Sequence, residues 1–450
     1  MVYSSLTSAA HTFKVRAIDS AGNSGSAVSH SWTVDTSTPI ASINSGPPLF
    51  TNLTTANFSF SANPPPSGSI IGYECSLDSA SWSACSSPMA YASLTPGSHS
   101  FQIRSIDNNN NRSGATTQNW TIDTSSPVVS IDAHPNSLTA NVSASFSFSA
   151  SDTGGGSVTS YSCKLDSGSY SSCSSPQSYS SLSSGAHNFY VFATDSAGNA
   201  SSVVTTSWSV DLTGPNSTIS SNPALLTNDT LASFSFSAVD TGGGTVASYN
   251  CKLDSGVYSN CTSAQNYSSL AQGSHSFQVY ATDSVGNVGA TQTFSWTVDL
   301  TPPVVTLVST PNSVTNATSA SFSFSATDTG GGVVASYSCK MDSGSYSSCT
   351  SPQSYSALSS GVHTFYVQVA DSAGNVSSVQ NYTWEIDTTA PSLNLATYPT
   401  SLNNLTSVNF TFSATDSNGV ASYSCKLDSG FYTNCSSPIS YSSLTQGSHT

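Results

Sequence analysis

The chain of 450 residues sets 8 Lys and Arg against 23 Asp and Glu, a formal net charge of −15, and only 7% of its residues are charged. That balance excludes nucleic acid as a partner, because a phosphate backbone calls for a basic face, and no run of about 18 apolar residues is present to span a membrane. An aromatic content of 10%, placed at regular intervals, argues for packed cores over disorder.

One motif recurs along the whole sequence. Cys75, Cys163, Cys251, Cys339 and Cys425 open it at intervals of 88, 88, 88 and 86 residues, and Trp32, Trp120, Trp208, Trp296 and Trp384 keep the same spacing of 88. A unit of this length can bury a core of its own, which the shorter units of solenoids cannot. The chain therefore reads as a row of domains. Boundaries at the proline after each Trp give a partial repeat at 1–38, complete repeats at 39–126, 127–214, 215–302 and 303–390, and a partial repeat at 391–450. Met1-Val2-Tyr3 stands where Met89-Ala90-Tyr91 stands inside a repeat, and Gly447 to Thr450 fall inside another, so a piece of a longer protein is expected. Links such as Val210 to Pro215 are too short for flexible linkers, which suggests a semi-rigid array.

Within residues 127–214 the pattern is strand and turn throughout. Ser145 to Ala150 alternates Ser and Phe with a period of two, as a half-buried strand does. Thr153-Gly154-Gly155-Gly156 breaks it. Tyr161, Cys163 and Leu165 form the next inward set, and Asp166-Ser167-Gly168 turns the chain towards Cys173. A short strand lies near Tyr179. Phe189, Val191 and Ala193 line a further strand, Asp195 to Asn199 turn it, and Trp208 and Val210 close the repeat. Seven or so short strands of this kind suit an antiparallel sandwich.

The ten cysteines form five pairs of identical spacing: Cys75 and Cys85, Cys163 and Cys173, Cys251 and Cys261, Cys339 and Cys349, Cys425 and Cys435. Evenly distributed pairs read as structural disulfides and imply an oxidising compartment. Zinc is the competing reading, although it usually takes two close pairs or Cys with His at short spacing. A bridge over so small a loop is worth about 2–3 kcal/mol.

The succession C-x-L-D-S-G-x-Y-x-x-C-x-S-P-x-x-Y-S-x-L-x-x-G-x-H-x-F-x-V-x-A-x-D-S-x-G-N, followed by W-x-V-D and Pro, resembles bacterial Ig-like repeats. These are similar to fibronectin type III modules and occur in tandem in large secreted and cell-surface proteins, adhesins especially. The resemblance covers the chain and implies an all-β, tandem array of antiparallel Ig-like β-sandwich domains. In immunoglobulin order the strands above are B, C, C′, F and G, so the cysteines tie C to C′ where antibody domains tie B to F. Residues 39–126 depart most: Asn63-Pro64-Pro65-Pro66 replaces the Asp-Thr-Gly-Gly of the other repeats, and Asn108 to Asn111 replaces Ser-Ala-Gly-Asn.

The aspartates are phased with the strands. Asp35, Asp123, Asp211, Asp299 and Asp387 follow strand G; Asp19, Asp107, Asp195, Asp283 and Asp371 end strand F; Asp152, Asp240, Asp328 and Asp416 end strand B. Sandwich topology brings these three classes together where one repeat meets the next. Asp123 is expected to meet Asp152, Asp195 and Asn199; Asp211 to meet Asp240, Asp283 and Asn287; and Asp299 to meet Asp328, Asp371 and Asn375. Three carboxylates with an amide oxygen make the hard-oxygen shell that Ca²⁺ prefers. Plain turn chemistry is the alternative, since Asp and Asn favour turns. Asn63 weakens the joint at Asp35. The aspartates of the C–C′ turn (Asp78, Asp166, Asp254, Asp342, Asp428) read as turn residues alone.

Nothing in the sequence assembles a catalytic site. Asp-Thr-Gly at 152, 240 and 328 lacks the facing partner loop of an aspartic protease, and no G-x-S-x-G elbow is present. The histidines at 11, 99, 187, 275, 363 and 449 read as strand-edge residues, and Trp82 as a hairpin aromatic on its own sheet, with an exposed contact as the alternative. The function expected is a non-catalytic stalk or spacer of a bacterial extracellular adhesin, projecting a binding tip and stiffened by calcium at its joints. Two alternatives are repeats that themselves grip an unknown carbohydrate or protein ligand, and a spacer attached to an extracellular hydrolase.

Overall fold

The structure, a computed structural model, describes residues 1–450, and all of its regular elements are β-strands. The repeat at 127–214 serves to describe the unit. Its strands are β1 (Val128–Ala133), β2 (Leu138–Thr139), β3 (Ala144–Ser151), β4 (Val158–Leu165), β5 (Ser171–Cys173), β6 (Gln177–Tyr179), β7 (Gly185–Asp195) and β8 (Val204–Val210). They form a three-stranded sheet in the order β1-β3-β6 and a five-stranded sheet in the order β2-β8-β7-β4-β5. The short β2 runs parallel to β8, and the other pairings are antiparallel.

Alternation decides which side chains meet between the sheets. In β3, Phe146 and Phe148 turn inward while the intervening serines face out or lie part-buried, and in β7 every second residue from His187 to Asp195 is buried. Phe146 stacks on Phe189 with ring centroids 4.1 Å apart, and Trp208 approaches Phe146 at 5.0 Å. Val191, Ala193 and Val210 complete a core that water does not reach. At the start of β6, Ser175 Oγ accepts the Phe148 N–H at 2.9 Å, so a side chain extends the ladder where the strand is short. The register of β4 against β7 shifts between Val158 and Ser160, and Thr159 Oγ1 donates to the Thr194 and Asp195 carbonyls. A bulge of this kind re-aims the end of a strand, here beside Asp195.

The same two sheets recur at 40–122, 216–298 and 304–386, while 9–34 hold one hairpin and 392–442 a three-stranded and a two-stranded sheet. The chain divides into two compact units. The first comprises Met1–Pro215 with Asp240–Val246 and Asp283–Val288; it holds the 9–34 hairpin and the sandwiches at 40–122 and 128–210. The second comprises Asn216–Val239, Ala247–Thr282 and Gly289–Thr450; it holds the sandwich at 304–386, most of that at 216–298, and the sheets of 392–442.

All ten cysteines are paired as the spacing implies, and none is free, which removes the zinc reading. In the described repeat, Cys163 on β4 bridges to Cys173 on β5, the edge strand of the larger sheet, with Cα atoms 5.8 Å apart. An edge strand of three residues is a weak element on its own, and the bridge holds it in register.

Truncating the stacked pair tests the core. Phe189→Ala is expected to cost its own repeat about 3–5 kcal/mol. Calorimetry of the whole chain then shows one unfolding component moved to lower temperature while those of the other sandwiches stay in place.

Candidate metal centres where repeats meet

Asp123 follows the last strand of the repeat at 40–122 (Thr116–Ile122), and its N–H donates to the Thr51 carbonyl at 2.9 Å. From the next repeat, Asp152 stands just beyond β3 and Asp195 closes β7. One carboxylate oxygen of each lies within 4.8 Å of those of the other two. Asp123 is fully buried and Asp195 nearly so.

The run of glycines between β3 and β4 is what lets the loop close around Asp123. The Gly156 N–H donates to Asp123 Oδ2 at 2.7 Å, while the Ser125 N–H donates to Oδ1 at 2.9 Å. A Cβ at Gly154 would collide with the Asp123 carboxylate. Gly155 has φ of +106°, a left-handed conformation costly for residues with a side chain. Asp195 is fixed by its own turn: Oδ1 accepts the N–H groups of Ala197 and Asn199 at 2.8 and 2.9 Å, and Oδ2 accepts Asn199 Nδ2 at 2.8 Å.

Two further copies have the same construction. Asp211 meets Asp240 and Asp283 in the first unit, and Asp299 meets Asp328 and Asp371 in the second. Gly244 and Gly332 donate to Asp211 and Asp299 at 3.0 and 2.7 Å. In every copy the middle aspartate keeps one buried oxygen, Oδ2 of Asp152, Asp240 or Asp328, with no hydrogen-bond partner. Burial raises the pKa of Asp195, Asp283 and Asp371, but the donated bonds from Asn199, Asn287 and Asn375 and from the turn N–H groups outweigh it and hold each carboxyl below its ordinary value. Two unit charges about 4.8 Å apart repel by about 3–4 kcal/mol at an effective dielectric of about 20. A cluster of three such charges calls for a cation or a proton.

The asparagines arrive differently from the expectation. Asn199 presents its amide nitrogen, donating to the Asp123 carbonyl and to Asp195 Oδ2 at 2.8 Å each, and Asn287 and Asn375 do the same at their joints. They brace the carboxylates in place of adding an oxygen to the shell. The three carboxylates remain the acidic side chains gathered at each joint.

The flanking joints are satisfied without a third carboxylate. Asp35 Oδ2 accepts Ser67 Oγ at 3.0 Å and Asn109 Nδ2 at 3.4 Å. Asp387 accepts Asn418 Nδ2 at 2.8 Å and Ser417 Oγ at 3.1 Å, and these donors, Asn418 foremost, hold its pKa at about 2.

The histidines form a second constellation that the reading as strand-edge residues missed. His187 Nδ1 lies 2.8 Å from Asp166 Oδ2 and Nε2 lies 2.9 Å from the Ser183 carbonyl, with the ring 5.4 Å from that of Trp208. Asp166 does make a turn, with φ of +51°, yet it also accepts the Asn188 N–H at 2.7 Å. The signal was a constant separation of 21 residues between each turn aspartate and its histidine. Trp82 lies beneath the Arg104 guanidinium, 4.4 Å from its ring centroid, and so is covered.

A family model described as bacterial Ig-like domain (group 3) matches residues 259–323, a window running from the fifth strand of one repeat to the third strand of the next and across Asp299. Among solved structures, the fibronectin(III)-like modules of Clostridium thermocellum CbhA match at 19% identity and a TM-score of 0.26, over 38% of this chain and 94% of theirs. No curated protein matches the chain. The match at 259–323 is to a bacterial Ig-like domain, and the two-sheet sandwich in which it begins recurs along the chain at 40–122, 128–210 and 304–386.

Proposed function

We propose that the chain is a non-catalytic spacer of an extracellular or cell-surface adhesin, and that Ca²⁺ bound by three aspartate clusters fixes successive repeats against each other. The observation that carries the reading is the threefold recurrence of a carboxylate triad whose middle member has a buried oxygen without a partner. Hard oxygens of this kind suit Ca²⁺. One ligand comes from the end of one repeat and two from loops of the next, so an ion that neutralises the cluster also ties the repeats together. The five disulfides fit an oxidising setting, and near-identical repeats suit a spacer better than a set of distinct binding surfaces.

Binding to the folded state alone raises stability by about 2.7 kcal/mol when free ion is about 100 times its Kd. The whole chain is therefore expected to melt at higher temperature in millimolar Ca²⁺ than in chelator, and identical curves would sink the reading. The variant carrying Asp152→Asn, Asp240→Asn and Asp328→Asn separates attraction from repulsion. In chelator it is expected to melt at or above the wild type, because three repulsive charges are gone; in Ca²⁺ it is expected to melt below it.

A pH series in chelator checks the electrostatics. Asp195, Asp283 and Asp371 have lowered pKa values in the folded chain. Their contribution is then fully present above the ordinary aspartate value of 3.8 and is lost as the pH falls through the folded-state values. Asn199→Ala, Asn287→Ala and Asn375→Ala together are expected to move that acid transition to higher pH, read by circular dichroism.

A further inference from the structure

Five times along the chain a histidine ring is held between two acceptors. His99, His187, His275, His363 and His449 each place Nδ1 against a carboxylate oxygen of Asp78, Asp166, Asp254, Asp342 or Asp428, and Nε2 against the carbonyl of the residue four positions earlier. All ten distances are 2.7–2.9 Å. A neutral imidazole has one N–H and one bare lone pair, so it can satisfy only one of two facing acceptors. The charged ring donates from both nitrogens and satisfies both.

We infer that each clamp is a proton-binding site, in which the protonated ring fastens the β4–β5 turn to the β6–β7 loop and to β7, and loss of the proton releases that end of the sandwich. Asp166 receives the Asn188 N–H on its other oxygen and donates its own N–H to the Asn188 carbonyl at 2.8 Å, so the turn is stitched to β7 on both sides of the ring. The groups that face His187 are few. The β4–β5 turn supplies Asp166, the β6–β7 loop supplies the Ser183 carbonyl, and β8 supplies the uncharged Trp208. Tyr91 and Tyr267, on the strands equivalent to β6 in their repeats, feel burial first and then the charge of Asp78 or Asp254, and both effects keep them neutral phenols. The histidine is the only basic side chain at ion-pair distance from each turn aspartate.

The direction of titration agrees with this geometry. Burial lowers the pKa of His99, His187 and His275, but the bonds to the carbonyl and to the aspartate outweigh it and raise each above 6.5. At His363 the bond to Asp342 is the largest effect, and the result is also raised. A raised value means that the clamp contributes fully below the unfolded histidine value of 6.5 and stops contributing as the pH climbs through the folded value. Four sandwiches carry the same clamp, and each loses its own contribution as its histidine gives up the proton.

The test uses the full chain at a fixed calcium concentration, so that its outcome is independent of the aspartate clusters. Imidazole ¹⁵N NMR across a pH series is expected to show His99, His187, His275 and His363 losing their second proton at midpoints above 6.5. Rings that titrate at or below 6.5 would overturn the inference. In parallel, the melting temperature is expected to fall as the pH rises above 6.5. A variant with Asp78→Asn, Asp166→Asn, Asp254→Asn and Asp342→Asn keeps a residue that tolerates the turn conformation, and its amide can donate to a neutral ring. It is expected to lose most of that fall. An unchanged fall in the variant would overturn the inference as surely as low-titrating rings.

Discussion

Alternation along the eleven-residue strand β7 is the constraint from which the rest of the unit follows. His187, Phe189, Val191, Ala193 and Asp195 all face the interior because they share one parity. The middle three are the floor of the core. The two ends, in the same phase, deliver an imidazole to one end of the sandwich and a carboxylate to the other. A shift of register by one residue would turn all five outward together, so hydrophobic packing and polar chemistry are locked to one pairing. The aromatic stack of Phe146 on Phe189 secures that pairing from the facing sheet.

How much of this could be read beforehand depended on whether the relevant spacing was local. The strands were legible because period two survives in a serine-rich chain: Ser and Phe alternate in β3 without exception from Ser145 to Ser149. The aspartate clusters were legible because each member sits at a strand end, and sandwich topology then decides which ends adjoin. The glycine run at 154–156 read as a mere break, since its purpose involves a residue more than thirty positions earlier whose carboxylate needs the space. The His–Asp clamp was hidden for a similar reason. Its two members are neighbours only after β4 and β7 have paired, with Leu165 opposite Phe189. The role of Asn199 could not be read at all from composition, because an amide offers a donor and an acceptor and only the surroundings choose between them.

The two polar constellations also divide the electrostatic burden of a very acidic chain. At one end of each sandwich, an aspartate is neutralised internally by a histidine of the same repeat. At the other, three aspartates are gathered with amide and backbone donors but without a basic side chain. The first arrangement carries its own counter-charge, and the second gathers its carboxylates without one. At the joints of Asp35 and Asp387, serine and asparagine donors stand in.

The glycine loop that wraps the preceding repeat's aspartate has a further consequence for how such a chain is divided. The unit of folding runs from β1 to β8, yet the unit of carboxylate clustering runs from Asp123 through Asp195 and so begins before β1. The two are out of step by the short stretch from Asp123 to Pro127. A sandwich excised at its own first strand would carry two incomplete clusters, an acidic pair at its head and a lone aspartate at its tail. Duplication of the repeat creates a whole cluster at each new seam without a single new residue, so growth of the array and multiplication of its joints are one event.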